Sequence, residues 1–396
     1  VYISLSASLP KDRRRRPADV DTDADFPLEM ADGGETTQIV NMNQLFPQKP
    51  RLAIIGGPGS GKTTYLKLIA SAIARALLSG DAAPVYAWLG LDGDLPLPIY
   101  ISLSQYNLFR REKRGTLVDY LSHSLIENNV VAGLPADFFT RLLLEGRACC
   151  LLLDGLDEVA KERERWQVSD DIERLSDNAG IPYLVITSRS RAYVGKARLP
   201  FQTATVEPME PAQVAALVSR WCETVYQPHE TVAETADLQA NIEQLEAHRR
   251  QRGQPPLIET PLLVTLVAIV HYDQRRLPQQ RAELYQKCVN VLLSDTHKPS
   301  RVFEELADWG GSESEKRSLL AELAYKMMTA GQDGEGEAGR QVGRAQIDAW
   351  LLPIYRRDYA EREAKRHLTT FLQAMVERNS LLNERGGQYE FIHLTF

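Results

Sequence analysis

The amino-acid sequence predicts an α/β fold class: a parallel sheet flanked by helices, followed by a helical region and then a winged-helix module. Three observations predict it. Between Arg51 and Glu207, short β-rich runs alternate with helical patterns, and such alternation builds a parallel sheet covered on both faces. Beyond Glu207 the apolar residues recur at helical spacing. Near the end, Leu381–Asn383 and Gln388–Ile392 flank Glu384-Arg385-Gly386-Gly387. That is a hairpin signature, and helices followed by a hairpin suggest a winged helix.

Taken in order, residues 1–9 form a short apolar run and Lys11–Glu35 reads as a linker or mobile insertion, so 1–45 stands apart as a lead-in segment. Arg13, Arg14, Arg15 and Arg16 stand in a row there, ahead of a series of acids from Asp19 to Glu35. The run fits either contact with a phosphate backbone or a solvated loop carrying both signs of charge. Strands are expected at Leu52–Gly56, Pro98–Leu103, Ala148–Asp154, Tyr183–Ser188 and Thr203–Val206. Leu66, Ile69, Ala72, Ile73, Ala76 and Leu77 mark one side of a helix between the first two. Further helices carry Leu117, Tyr120, Leu121 and Leu125, then Phe138, Phe139, Leu142 and Leu143. Residues 46–207 make the α/β domain on this reading, 208–275 a helical domain and 276–396 the winged-helix domain. In the helical domain Val214, Leu217, Val218, Trp221, Cys222 and Val225 fall on one stripe, and 226–256 is a polar interval flanked by Pro and Gly. Helices follow around 261–272, 281–294, 316–329 and 364–379, with a mobile Gly- and Glu-rich loop at Gly331–Gly343.

Composition sets bounds on function. At about 150 residues per domain, 396 residues suggest two to three domains. Hydrophobic residues at 43% and charged residues at 25% exclude a disordered, collagenous or rod-like chain. A formal net charge of −7 gives no general attraction to nucleic acid or an anionic membrane. The longest apolar stretch, Pro261–Val270, is interrupted by Thr265 and is far short of the about 20 residues a spanning helix needs. Cys149, Cys150, Cys222 and Cys288 form no CxxC pair, so neither a zinc site nor a disulfide framework is expected. With no signal peptide, a cytoplasmic location is expected. The chain starts at Val1 and stops at Phe396 within a patterned segment, which reads as an excerpt of a longer protein.

The strongest chemical signal is Gly56-Gly57-Pro58-Gly59-Ser60-Gly61-Lys62-Thr63, which fits G-x-x-x-x-G-K-[ST]. A glycine-rich turn lets backbone N–H groups converge on phosphates. Lys62 supplies a mobile cation for β- and γ-phosphates, and Thr63 a hydroxyl for Mg²⁺; Thr64 beside it joins the nucleotide-binding candidates. A strand precedes the turn and an amphipathic helix follows, whose N-terminus favours an anion. Asp154, 92 residues beyond Lys62, ends the apolar run Cys150-Leu151-Leu152-Leu153. An aspartate there reaches the carboxyl edge of the sheet, where ligands gather, so Asp154 is a second candidate for Mg²⁺, directly or through water. Asp157 and Glu158 follow one turn later. One of them could orient an attacking water, or both could cap the next helix.

The phosphate turn together with Leu151-Leu152-Leu153-Asp154-Gly155-Leu156-Asp157-Glu158 resembles the NACHT family of signal-transduction NTPases, within the broader STAND class. The resemblance runs over about residues 50–396. Many other P-loop ATPases place glutamate directly after the aspartate. Gly155 stands there instead, which suits a slow switch better than a fast motor. Tyr183-Leu184-Val185-Ile186-Thr187-Ser188-Arg189 is similar to the family's first sensor, which implies that Arg189, with Arg191 as a neighbouring alternative, reads the γ-phosphate through a bidentate guanidinium. Glu259-Thr260-Pro261-Leu262-Leu263 resembles the motif whose proline packs on adenine, although Pro261 also suits the first turn of a helix. Leu277–Leu293 resembles the entry to the winged helix, and Phe391-Ile392-His393-Leu394-Thr395-Phe396 its closing motif, which implies that His393 contacts the β-phosphate of ADP. Residues 1–9 are similar to the lead-in ahead of some bacterial NACHT modules.

The resemblance implies a switch that binds ADP or ATP with Mg²⁺, hydrolyses ATP slowly, self-associates on activation and controls an effector, with effector and sensor outside this stretch. Signalling or antiviral defence is the expected setting. A mechanical AAA-type ATPase and a scaffold that keeps nucleotide as a structural cofactor are the alternatives. No Asn-Lys-x-Asp motif for reading guanine occurs.

Overall fold

The computed structural model describes residues 3–10, 37–91, 93–127, 135, 137–144, 148–159, 161–177, 181–278, 281–293, 312–329, 342–378, 381–385 and 387–391. The Arg13–Arg16 run, most of Gly331–Gly343 and His393 lie outside the described residues.

In chain order the first elements are β1 (Ser6–Pro10), β2 (Thr37–Asn41), α1 (Met42–Gln48), β3 (Arg51–Ile55), α2 (Lys62–Ser79), α3 (Ala83–Leu89), β4 (Leu97–Ser102), α4 (Leu103–Lys113), α5 (Leu117–Glu127), α6 (Phe138–Leu144), β5 (Cys149–Asp154), α7 (Glu162–Ser176), β6 (Tyr183–Ser188) and β7 (Gln202–Val206). The strands form one sheet in the order β2-β1-β7-β3-β6-β5-β4. From β7 to β4 every pair is parallel, as the alternation with helices requires. β1 runs antiparallel to both β2 and β7, so the apolar lead-in extends the sheet.

The parallel strands are buried on both faces, and their residues alternate between two cores. Leu52, Ile54, Cys150, Leu152 and Val185 enter one core, with α1 and α2. Ala53, Ile55, Leu151, Leu153, Leu184 and Ile186 enter the other, with α4, α5, α6 and α7. In α2, Leu66, Ile69, Ile73 and Ala76 are buried at helical spacing, and Gly80 ends the helix in the left-handed region at φ 74°. Leu77 was expected on this inner side but is 44% exposed. Ala76 holds the inward position of the last turn, and Leu77 lies about 100° around from it.

After β7 come α8 (Pro211–Val225), α9 (Thr231–Gln251), α10 (Pro261–Gln274) and α11 (Arg281–Leu293). Glu210 and Gln213 start α8 with a capping box. Gln213 also donates to the Ser4 carbonyl at 3.0 Å, tying α8 to the chain just before β1. Val225, expected on the inner stripe of α8, is 40% exposed at the helix's last residue. The polar interval expected at 226–256 is largely α9, a helix of 21 residues. Its apolar face is only the narrow line Leu238, Ile242 and Leu245, too sparse among charged neighbours to register as amphipathic. Thr260 caps α10 through a bond from the Leu263 N–H, and Pro261 takes the first helical position. These helices share their core with one face of the sheet.

A third core joins Leu293 at the end of α11 to α12 (Glu313–Thr329), α13 (Arg344–Tyr355), α14 (Glu361–Gln373) and a small antiparallel sheet of β8 (Val342–Gly343), β10 (Gln388–Phe391) and β9 (Leu382–Arg385), in the order β8-β10-β9. α14 buries Ala364, Leu368, Phe371 and Leu372 on one face. The β9–β10 hairpin is the wing that the glycine pair announces.

Candidate nucleotide-binding site

The turn Gly56–Gly61 leaves β3 at the carboxyl edge of the sheet and runs into α2. Gly59 and Gly61 sit at φ +70° and +89°, which L side chains rarely adopt. A Cβ at Gly59 would come within 2.8 Å of Leu262 Cβ, and one at Gly61 within 3.0 Å of Leu5 Cδ1. Both glycines therefore answer to packing as well as to dihedral. Lys62 folds back along the turn, donating to the carbonyls of Gly56 at 2.8 Å and Gly57 at 2.9 Å. Burial lowers its pKa, opposed by Asp157. A partly desolvated ammonium of this kind attracts phosphate more strongly than one in water.

Asp154 ends β5 only 2% exposed. Three hydroxyls meet it: Thr63 at 3.1 Å and Thr187 at 2.6 Å donate to Oδ1, and Tyr100 at 2.8 Å donates to Oδ2. Thr187 has a single proton, and its oxygen accepts the Gly155 N–H at 2.8 Å, so its donation to Asp154 is fixed. The structure thus brings Thr63 and Asp154 together across 91 residues.

Arg189, just past β6, pairs with Asp157 at 2.7 Å. Burial raises the Asp157 pKa, while Arg189 and Lys62 pull it down and Glu390 on β10 pushes it up. Gly155 has φ +76°, and a Cβ there would lie 2.5 Å from the Glu158 carboxyl carbon. The small residue after Asp154 is what lets Glu158 fold back over the backbone. Arg191 is exposed.

Gly59, Gly61, Lys62, Thr63, Asp154, Gly155, Asp157, Glu158, Thr187 and Arg189 line a cavity of about 540 Å³ with Pro58, Ser60 and Thr64, a volume in the range of small-molecule sites. Its opposite wall comes from the helical region: Leu217 and Trp221 of α8, and Pro261, Leu262 and Thr265 of α10. The Leu262 N–H points at the Gly59 carbonyl, 3.4 Å away. Tyr100, Thr187, Trp221, Leu217 and Thr265 escaped the sequence reading as site residues. A hydroxyl two positions before Arg189 is a signal that could have exposed Thr187. Tyr100 carries none, because it reaches Asp154 only across two paired strands.

A glycine turn between strand and helix, with a buried aspartate two strands away in the sheet, defines a P-loop NTPase domain. The NACHT domain model matches residues 51–224, and the model of the winged helix-turn-helix domain C-terminal to NACHT matches residues 281–396. The chain belongs to the NACHT family of P-loop NTPases. No curated protein matches it. Among solved structures it is similar to a signal transduction ATPase with numerous domains (STAND) that carries a tetratricopeptide repeat sensor, from Pyrococcus horikoshii. The identity is 12%, the TM-score 0.29, and the match covers 87% of this chain but 38% of that one. At that score the likeness adds nothing to the assignment. Among the described residues, no helix is long and apolar enough to cross a membrane.

Proposed function

We propose that the chain is a nucleotide-dependent switch. ADP, held between the sheet and the later domains, locks a closed form; ATP favours an open form that self-associates and controls an attached effector. The observation that carries this reading is the shared cavity, in which the phosphate turn, Asp154, Asp157 and Arg189 face Trp221, Pro261 and Leu262 of the helical region. A ligand filling it would touch both parts at once, so its chemistry could bias their arrangement.

The residues present fit a magnesium nucleotide. Thr63 Oγ1 and Asp154 Oδ1 lie together beside Lys62, and a hydroxyl with a carboxylate is an oxygen donor set suited to Mg²⁺. Among the described residues, no group of three or more His, Cys, Asp or Glu could hold a metal ion, so phosphate oxygens and water would complete the shell. When bound, Mg²⁺ would neutralise charge on the phosphates. Lys62 would exchange its two carbonyls for β- and γ-oxygens. Arg189 would leave Asp157 for the γ-phosphate, freeing Asp157 to orient water, with Glu158 as its alternative. Pro261, Trp221 and Leu217 offer apolar surface for the base, and adenine is the base proposed.

Slow hydrolysis resets the switch. Driving it from 1:99 to 99:1 needs about 5.5 kcal/mol of differential binding. Arg189 on a γ-phosphate and His393 on ADP would supply part of that difference. The test is to denature purified protein and chromatograph what it releases. ADP is expected, and Lys62→Ala should release none. A guanine nucleotide would overturn the base assignment, and an empty wild-type protein would overturn the locked form.

A further inference from the structure

We infer that Tyr100 is a positioning residue for the magnesium site, an inference that rests on the nucleotide reading above. Tyr100 stands on β4, opposite Leu152 of β5, two positions before the Ser102–Asp154 pair. In parallel strands, residues paired in this way share a face and alternate residues share it too, so Tyr100 and Asp154 lie on one face, the face that also packs α2. A tyrosine is long enough to lean along its strand to the sheet edge, and its hydroxyl meets Asp154 Oδ2 at 2.8 Å. The ammonium of Lys67, an exposed residue of α2, lies 5.7 Å from the centre of its ring.

The geometry divides the carboxylate between two tasks. Oδ2 is given to Tyr100, while Oδ1 is turned toward Thr63. Without the tyrosine hydroxyl, Oδ2 would lose this partner, and only the Thr187 and Thr63 hydroxyls on Oδ1 would oppose rotation of the carboxylate about its own axis. The Oδ1 lone pairs would then lose their fixed aim at the edge where a cation sits beside Thr63. Partners of this kind typically contribute about 10–100-fold to metal affinity.

The test uses the full chain and a fluorescent ATP analogue, with affinity measured in EDTA and across a Mg²⁺ titration. Mn²⁺ binding to the nucleotide complex is followed by electron paramagnetic resonance. Tyr100→Phe removes the hydroxyl and keeps the ring. The expected result is an affinity in EDTA within about two-fold of wild type, and about ten-fold more Mg²⁺ or Mn²⁺ needed for half-effect. A merely structural role would lower both affinities together, and that result overturns the inference. So does an unchanged metal requirement. Wild-type protein that takes up no nucleotide in either condition would overturn the nucleotide reading, and this inference with it.

Discussion

Lys62 and Arg189 each hold a protein partner where a phosphate would bind: two backbone carbonyls in one case, Asp157 in the other. A ligand must therefore outcompete these contacts, and on the proposed reading a γ-phosphate would displace the second. Arg189→Ala should weaken ATP binding about ten-fold more than ADP binding, in line with one lost charge-assisted bond; equilibrium titration with both nucleotides checks it. Asp157→Asn should leave ADP retention intact and slow hydrolysis by at least about 100-fold if Asp157 acts on the water. Because burial raises the Asp157 pKa above its ordinary 3.8, the acid limb of the hydrolysis rate should lie above the usual aspartate range and vanish in the asparagine variant. The same shift makes protonation favour the folded state. That contribution is complete below 3.8 and is lost as pH rises through the folded value. Trp221→Ala removes the largest ring from the cavity wall and should cost nucleotide about ten-fold in affinity, with a loss of fluorescence response to ligand.

Helix starts and strand ends place the site groups, so changes at those points should be read in both stability and binding. Gly155→Ala must adopt φ +76° and displace the Glu158 carboxyl. A loss of about 1–2 kcal/mol is expected from the dihedral alone, measured by denaturant unfolding. Thr260→Ala removes the cap of α10 at a cost of about 1 kcal/mol and should also raise the nucleotide off-rate, because that cap fixes Pro261 and Leu262. Much at this scale was legible beforehand. Strands β3 to β7 and helix α2 follow from apolar period and from glycine, since a buried strand and a two-sided sheet impose those patterns directly. α9 was not legible: its buried apolar residues, Leu238, Ile242 and Leu245, are only three among many charges. β2 was missed because Thr37–Asn41 is mostly exposed and lacks an apolar run. Its strand character comes from pairing with β1, a partner far away in sequence.

Across the whole molecule the site is spread over the sheet and the helical region, which explains which parts sequence could reach. Contiguous motifs point to Gly56–Thr63, Asp154 and Arg189 as candidates, because each sits on a local turn or strand end. Tyr100 and Trp221 enter by tertiary approach and left no local trace. If bound nucleotide joins the regions, stripping it should lower the melting temperature and change the elution volume of the chain. Readdition of ADP should restore both, as linkage requires. His393→Ala should loosen ADP more than ATP; equal losses would remove His393 from its proposed role.

Leu262 rests where a side chain on Gly59 would have to be, so the phosphate turn and the helical region meet almost backbone to side chain. On the proposed switch, the contact would act as an escapement: α10 could not swing outward without lifting Leu262, its tooth, off the glycine turn. Ligand exchange and interdomain swing would then tick at one shared rate.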